Sequence, residues 1–161
     1  MRRFGNVPIL GKKYARRPGV YAILTRGHQI LLTYQEEPDF EFQLPGGGID
    51  KGENSIQALH REVLEETGWL ISNPRLLGVY KRFVYMPEYK MYAEKICKIF
   101  HAVPTLKISD LLEKGHTAHI MHSHLALRLI RGGDLHFLEN HLKKFKPDEV
   151  CPAVWLSLAY Q

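Results

Sequence analysis

The chain has 161 residues, of which 45% are hydrophobic and 24% are charged, and its formal net charge is +5 at pH 7. This composition is typical of one globular domain and excludes fibrous, disordered and disulfide-rich classes. The positive charge favours an anionic partner. Because the basic residues are spread along the chain, a small phosphorylated molecule fits better than a stable nucleic acid complex.

Cysteine usage and hydropathy suggest where the chain works. Cys97 and Cys151 are too few for a disulfide framework and lack zinc-site spacing. No apolar run is long enough for a signal peptide or a membrane-spanning helix. We therefore expect one cytoplasmic domain over residues 1–161, with no membrane partner, acting as a monomer or a homodimer. Its basic first segment, residues 1–17, is expected to be irregular.

The first half of the chain predicts strands followed by one helix. Runs at residues 19–25 and 30–34 are typical of strands, and residues 26–29 of a hairpin turn. A short extended piece at residues 41–45 leads into a predicted loop of three glycines, residues 46–48. Asn54 is expected to cap a helix from Ser55 to Thr67, and Gly68 to end it in a left-handed conformation.

The second half predicts more strands and two further helices. Residues 75–86 and 91–103 are long strand candidates, and residues 117–121 are a short one. Helical patterns follow at residues 124–131 and 134–144, with a break at residues 132–133. The apolar tail, residues 151–160, is expected to pack on the body or to contact another subunit. This order predicts an α/β sandwich with a mixed sheet.

The predicted helix at residues 55–67 carries the clearest chemical signal. Glu62, Glu65 and Glu66 cover roughly 100° of one face. Like charges spaced in this way oppose helix formation by about 0.2–0.5 kcal/mol per pair unless a cation lies among them. Carboxylate oxygens favour magnesium or manganese over zinc, so the face predicts a hard divalent cation.

The surroundings of this acidic face complete the local prediction. Ile56, Leu59 and Val63 form an adjacent stripe that is expected to pack on the sheet. Arg61 is positioned to offset negative charge and to orient a glutamate. Glycines at residues 46–48 would let a backbone carbonyl approach the same cation.

Seven residues match one extended pattern, G-x5-E-x7-R-E-U-x-E-E-x-G-U, where U is a bulky apolar residue. They are Gly47, Glu53, Arg61, Glu62, Glu65, Glu66 and Gly68. The pattern resembles the Nudix box, with Val63 at the first apolar position and Trp69 at the last, where the family more often has an aliphatic residue. The resemblance implies a Nudix-type α/β/α sandwich and a magnesium-dependent hydrolase. Water would attack phosphorus in a nucleoside diphosphate linked to another moiety.

The same resemblance assigns roles to residues of the box. It implies that Glu62, Glu65 and Glu66 hold the metal with the carbonyl of Gly46. Glu53 and Arg61 would support these ligands, and the implied catalytic set is Glu53, Arg61, Glu62 and Glu65. Glu62 or Glu65 would take the proton from the attacking water. Because Nudix members differ in their base, Glu94 and Glu113 outside the box are alternatives.

Weaker signals lie outside the box. His116, His119, His122 and His124 fall within nine residues but lack zinc-site spacing, so an ordinary polar loop is favoured over a zinc site or a substrate loop. One of four aromatic residues is a candidate for stacking on a nucleobase, although core packing is the commoner use: Phe83, Tyr85, Tyr89 and Tyr92. Arg16 and Arg17 are expected to be solvated. No substrate-binding residue is identified.

The box does not select a substrate. Oxidised nucleoside triphosphates, ADP-ribose, nucleotide sugars and dinucleotides all remain open, and RNA decapping is a further possibility within the enzyme class. Tyr85 lies where dinucleoside polyphosphate hydrolases have a tyrosine, which is weak support for that group. The alternative function from another class is a catalytically inactive Nudix-fold module that binds a nucleotide and regulates. Retention of every box glutamate favours the enzyme.

Overall fold

The computed structural model describes residues 1–37, 40–110 and 112–144. Its strands are β1 (Arg2–Arg3), β2 (Ala15–Arg26), β3 (Gln29–Gln35), β4 (Glu41–Gln43), β5 (Gly46–Gly48), β6 (Trp69–Met86), β7 (Met91–Lys107) and β8 (His116–His122). Its helices are α1 (Ser55–Thr67), α2 (Ser123–Leu129) and α3 (Gly132–Leu142), and a single 3-10 turn spans Pro87–Tyr89. The apolar tail at residues 151–160 and Cys151 lie outside the described residues.

The strands form one mixed sheet, as the sequence predicts. Its order is β1-β6-β7-β2-β3-β4, with β5 paired to β2 and β8 paired to β3. Strand β2 runs parallel to β7 and antiparallel to β3 and β5. The glycine strand β5 therefore lies directly against a central strand.

Helices cover both faces of this sheet, which gives the α/β/α sandwich. On one face, Leu59 and Val63 of α1 pack with Val20 of β2 in a buried cluster. On the other face, Ala126 of α2 and Leu138 of α3 pack with a second buried cluster. No helix in the ranges described is long and apolar enough to cross a membrane.

One predicted contact of α1 is wrong. Ile56 is 40% exposed, whereas Leu59 and Val63 are fully buried. Residue 56 lies in the first turn of the helix, and the buried residues of α1 begin at Ala58, which is also fully buried.

Several boundaries differ because strand pairing extends beyond the local pattern. In the segment expected to be irregular, Arg2–Arg3 pairs with β6, and β2 already begins at Ala15 beside Ala93 of β7. The predicted glycine loop is strand β5. Strand β6 starts at Trp69 instead of residue 75, because it stays paired with β7 through three register shifts.

The two last helices also begin earlier than predicted. Strand β8 confirms the expected short strand, and α2 starts directly after it at Ser123. The predicted break at residues 132–133 is wrong, because both glycines belong to α3. The break lies at Ile130 and Arg131, whose extended backbones separate the helices.

Candidate metal and substrate site

Helix α1 is fixed at both ends by its own sequence. The Asn54 side chain accepts hydrogen bonds from the amides of Ile56 and Gln57, and the Gln57 side chain accepts one from the amide of Asn54. At the other end, Gly68 has φ 76° and its amide donates to the carbonyl of Leu64. These caps confirm the predicted limits of the helix that carries the glutamates.

A polar cleft of about 290 Å³ lies beside the acidic face of α1. Glu62, Glu66 and the glycines of β5 form one side of it, and Glu113 and His116 also line it. Glu65 is not among the described residues that line the cleft, and 49% of its side chain is exposed. The structure therefore brings together Gly46, Glu62 and Glu66 of the predicted ligands and leaves Glu65 towards solvent.

The glycines of β5 lie in direct contact with the two buried carboxylates. The amide of Gly46 donates to Oε2 of Glu66 at 3.0 Å. A Cβ atom at Gly47 would lie 2.4 Å from Oε2 of Glu62, and one at Gly46 would lie 2.1 Å from the carbonyl oxygen of Val20. Gly46 also has φ 147°. A side chain at Gly46 would collide with the backbone of β2, and one at Gly47 would displace the carboxylate of Glu62, so the backbone itself forms this wall of the site.

Arg61 connects the carboxylates that sequence reasoning groups with it. Its Nε and Nη2 donate to the two oxygens of Glu53 at 2.7 and 2.9 Å, a bidentate pair. Its Nη1 donates to Glu62 at 2.8 Å and to Glu65 at 3.2 Å, and its Nη2 also reaches the carbonyl of Gly48 at 3.0 Å. One guanidinium thus holds the glutamates of α1 against the glycine strand.

The pKa values of the carboxylates differ because some of these groups are buried and others are hydrogen-bonded at the surface. Hydrogen bonds from Arg61 lower the pKa of Glu53 to about 2. Burial raises the pKa of Glu66 to about 8, and the neighbouring charges of Glu62 and Glu113 act in the same direction. Burial also raises the pKa of Glu62. At neutral pH the cleft therefore holds buried carboxyl groups that need a proton or a cation to stay there.

The donor groups fit a divalent cation. Ligand atoms of Glu66, Glu113 and His116 lie within 4.8 Å of one another. The buried Nδ1 of His116 has no hydrogen-bond partner, and its Nε2 is 3.5 Å from Glu66. Carboxylate oxygens dominate the set, which suits a hard ion such as magnesium or manganese. His116 sits where it could bind such an ion or a ligand of it.

The candidate bases and histidines outside the box differ in whether they line the cleft. Glu113 lines the cleft, whereas Glu94 is paired with Lys81 at 3.0 Å and is not among the residues that line it. Among the clustered histidines, only His116 lines the cleft. His119 packs on Phe42, while the rings of His122 and His124 stack 5.2 Å apart. Within the described residues, the four histidines do not form a second metal site.

The aromatic candidates also separate. Tyr89 lines the cleft and is 57% exposed, so its ring is available to a ligand. Phe83 and Tyr92 pack on Tyr14, with ring centroids 5.0 and 5.5 Å apart. Tyr85 packs on Tyr92. The commoner use of strand aromatics, cross-strand packing, accounts for these three.

Two cations in the cleft are missed by sequence reasoning. Arg17 is exposed, as expected, but it also lines the cleft, with its guanidinium 5.1 Å from the ring centre of Tyr89. Lys95 lines the same cleft, and burial lowers its pKa. Its position inside a hydrophobic strand pattern is the one local signal that it departs from an ordinary surface lysine.

Comparisons with known proteins agree with this geometry. A "Putative 8-oxo-dGTP diphosphatase" of Bacillus subtilis is 36% identical over 70 residues, 44% of this chain and 46% of the relative. An RNA pyrophosphohydrolase of Helicobacter pylori is 35% identical over 95 residues, 53% of this chain and 59% of the relative. The chain thus spans about half the length of the curated relatives it matches.

The fold has solved counterparts. A NUDIX hydrolase structure from Nitrosomonas europaea superposes with a TM-score of 0.66 at 21% identity, covering 87% of this chain and 98% of that one. At this identity the likeness establishes the α/β/α fold. The NUDIX domain family itself matches residues 15–159, which include every strand of the site and the whole of α1. The chain therefore belongs to the NUDIX domain family.

Proposed function

We propose that this chain is a magnesium-dependent hydrolase that cleaves a phosphoanhydride bond of a nucleoside diphosphate linked to another moiety. One observation carries the proposal: two buried carboxylates of α1, Glu62 and Glu66, meet the backbone of Gly46 and Gly47 in one cleft. Burial raises the pKa of both acids, even though Arg61 lies beside Glu62, and a divalent cation that also binds phosphate would offset the cost of their charges.

In this proposal Glu62, Glu65, Glu66 and the Gly46 carbonyl hold the metal. When bound, magnesium withdraws charge from the diphosphate and lowers the pKa of water. Arg61 orients Glu62 and Glu65 through the hydrogen bonds described above, and Glu53 fixes Arg61. Glu65, half-exposed and hydrogen-bonded to Arg61, would have to turn towards the cleft to serve as a ligand.

A carboxylate must take the proton of the attacking water. Glu62 and Glu65 each accept a hydrogen bond from Arg61, so an oxygen of each is already engaged. Glu113 lies in the same cleft, 3.7 Å from Nδ1 of His116. We assign Glu113 as the general base, with His116 as its neighbour in the cleft. Water attack on phosphorus then releases a nucleoside monophosphate and a second phosphorylated product.

The names of the relatives support this class of reaction. Both an 8-oxo-dGTP diphosphatase and an RNA pyrophosphohydrolase are named for the phosphate chain on which they act. A module that only binds nucleotides does not need the complete carboxylate set retained here. We also propose that the substrate is a small nucleotide and that residues 1–161 form a single domain. The protein is proposed to be a cytoplasmic monomer or homodimer.

A labelling experiment tests the proposal. Nucleoside triphosphates, a nucleotide sugar, ADP-ribose and a dinucleotide are incubated with the protein in oxygen-18 water, and the products are identified by mass. We expect the label in a phosphate group of one product, with activity lost in chelator and restored by magnesium or manganese but poorly by zinc. Label on a sugar carbon, full activity after chelation, or no turnover of any substrate contradicts the proposal.

A further inference from the structure

Three basic side chains lie side by side across the sheet. Lys95 of β7 is directly paired with Arg82 of β6 and with Arg17 of β2. Residues opposite each other in neighbouring strands point to the same face, so the three side chains form one row. This row, Arg17, Lys95 and Arg82, is called the cation row below.

The cation row is poorly compensated by the protein. Like charges directly opposite each other in a sheet are destabilising. Burial and then the charge of Arg82 lower the pKa of Lys95. In the described part of the chain, the ammonium group of Lys95 has no hydrogen bond or salt bridge, and the buried Nε of Arg82 has no hydrogen-bond partner. Three adjacent cations without salt bridges to the described residues do not stabilise the folded chain.

The nearby acids do not resolve the imbalance. Asp134 acts on Arg82 and Lys95 through space, but one of its oxygens already accepts a hydrogen bond from Tyr80 at 2.7 Å. Glu88 lines the cleft and acts on Lys95 more weakly than Arg82 does. Neither acid forms a salt bridge with a member of the row among the described residues.

The row opens onto the candidate site. Arg17 and Lys95 line the cleft that contains Glu62 and Glu66. Arg82 lines an adjoining cavity of about 120 Å³, and Gln43 lines both spaces. One cleft thus has an acidic side, suited to a metal ion, and a basic side.

We propose that the cation row binds a phosphate group of the substrate beyond the diphosphate held at the metal, so that the substrate class is a nucleotide with a triphosphate chain. This inference rests on the proposed function for the acidic side. Arg17 also stacks on Tyr89, which leaves that exposed ring beside the row as a surface for the base. Nucleotide sugars and ADP-ribose, with two phosphates, leave the row unpaired.

A phosphate suits the row better than a neutral group does. A base carbonyl accepts hydrogen bonds from Lys or Arg but carries no charge, so the repulsion within the row would persist. A terminal phosphate carries negative charge and several acceptor oxygens that reach more than one cation. The chemistry of the row therefore selects a polyphosphate.

Binding of inorganic triphosphate without metal tests the row separately from catalysis. Calorimetric titrations in chelator compare triphosphate with pyrophosphate on the wild type and on Lys95→Met, Arg17→Met and Lys95→Arg. Lys98→Met is the matched control, because Lys98 lies on the same strand and donates to Ser55 instead of facing the cleft. We expect triphosphate to bind more tightly than pyrophosphate, and Lys95→Met and Arg17→Met to weaken it by roughly 10- to 100-fold.

The variants also separate binding from folding. Lys95→Met removes a half-buried charge that has no salt bridge among the described residues, so its unfolding temperature should not fall while its affinity for triphosphate does. Lys95→Arg should recover most of the affinity. Wild-type affinity in Lys95→Met, equal loss in Lys98→Met, or no preference for triphosphate over pyrophosphate overturns the inference.

Turnover measurements identify the source of the triphosphate. With magnesium, Lys95→Met should raise KM for a nucleoside triphosphate by about tenfold. KM for ADP-ribose should stay unchanged. A short RNA with a 5′-triphosphate is tested beside the free nucleotide, and the better substrate identifies the source. If no substrate is hydrolysed but triphosphate binding still depends on Lys95, the proposed function fails and the anion site stands.

Discussion

Replacement of Glu66 by glutamine should stabilise the metal-free protein at high pH while abolishing turnover. Burial raises the pKa of Glu66 from 4.5 to about 8. Because the folded pKa lies above the unfolded one, the folded state holds the proton more tightly, and stability is lost as pH rises from about 4.5 to 8. At 1.36 kcal/mol per pKa unit, ionising Glu66 at pH 8 costs up to about 5 kcal/mol.

Glutamine keeps an oxygen for the amide of Gly46 but carries no charge. We expect Glu66→Gln to gain at least about 2 kcal/mol at pH 8 in chelator, which raises the unfolding midpoint by about 4–8 °C in a domain of this size. The gain should vanish below pH 4.5. Magnesium should stabilise the wild type but not the variant, and turnover of the variant should fall by orders of magnitude.

Glu94→Gln is the matched control, since Glu94 is paired with Lys81 and is not among the residues lining the cleft. It should show neither the gain in stability nor the loss of turnover. Thermal unfolding by circular dichroism between pH 4 and 9, with and without magnesium, measures both proteins. If Glu66→Gln is less stable than the wild type at pH 8 in chelator, or turns over substrate normally, Glu66 is not the buried metal ligand.

Two further substitutions test the remaining roles. Arg61→Lys keeps the charge but loses the bidentate contact with Glu53, so kcat should fall by roughly 10- to 100-fold at saturating magnesium; an unchanged kcat would show that this bridge is dispensable. Glu113→Gln should lower kcat by roughly 100-fold or more, with Glu94→Gln as the comparison. Equal kcat values for these two variants would return the base to Glu62 or Glu65.

Local sequence signals predict α1 well. Asn54, Gln57 and Gly68 act within one turn of the helix ends, so their caps can be inferred without tertiary structure. Pairing between distant strands cannot be inferred in this way. The glycines of β5 have no side chains to show a strand period, and they are extended because they pair with residues 19–21 of β2. Trp69 is a strand residue because its partner is Lys107.

Residues of the candidate site also differ in whether local sequence signals or strand pairing determine their positions. Glu62 and Glu66 are predictable because spacing on one helix places them together. His116 and Lys95 are not, because their positions depend on register: His116 faces Gln35 across β3 and β8, and Lys95 faces Arg17 across β2 and β7. Sequence reasoning therefore anticipates the acidic side of the cleft and misses its basic side.

The pairing of β5 within the sheet has a consequence for how this site can change. A side chain at Gly46 would collide with the backbone of Val20 and Tyr21, and one at Gly47 would collide with the carboxylate of Glu62. Substitution there cannot tune the acidic side without displacing the central strand β2 or the carboxylate of Glu62. The opposite side is built from side chains such as Tyr89 and Lys95, whose backbones accept other residues. New substrate preferences can therefore arise on that side while the hydrolytic machinery stays intact.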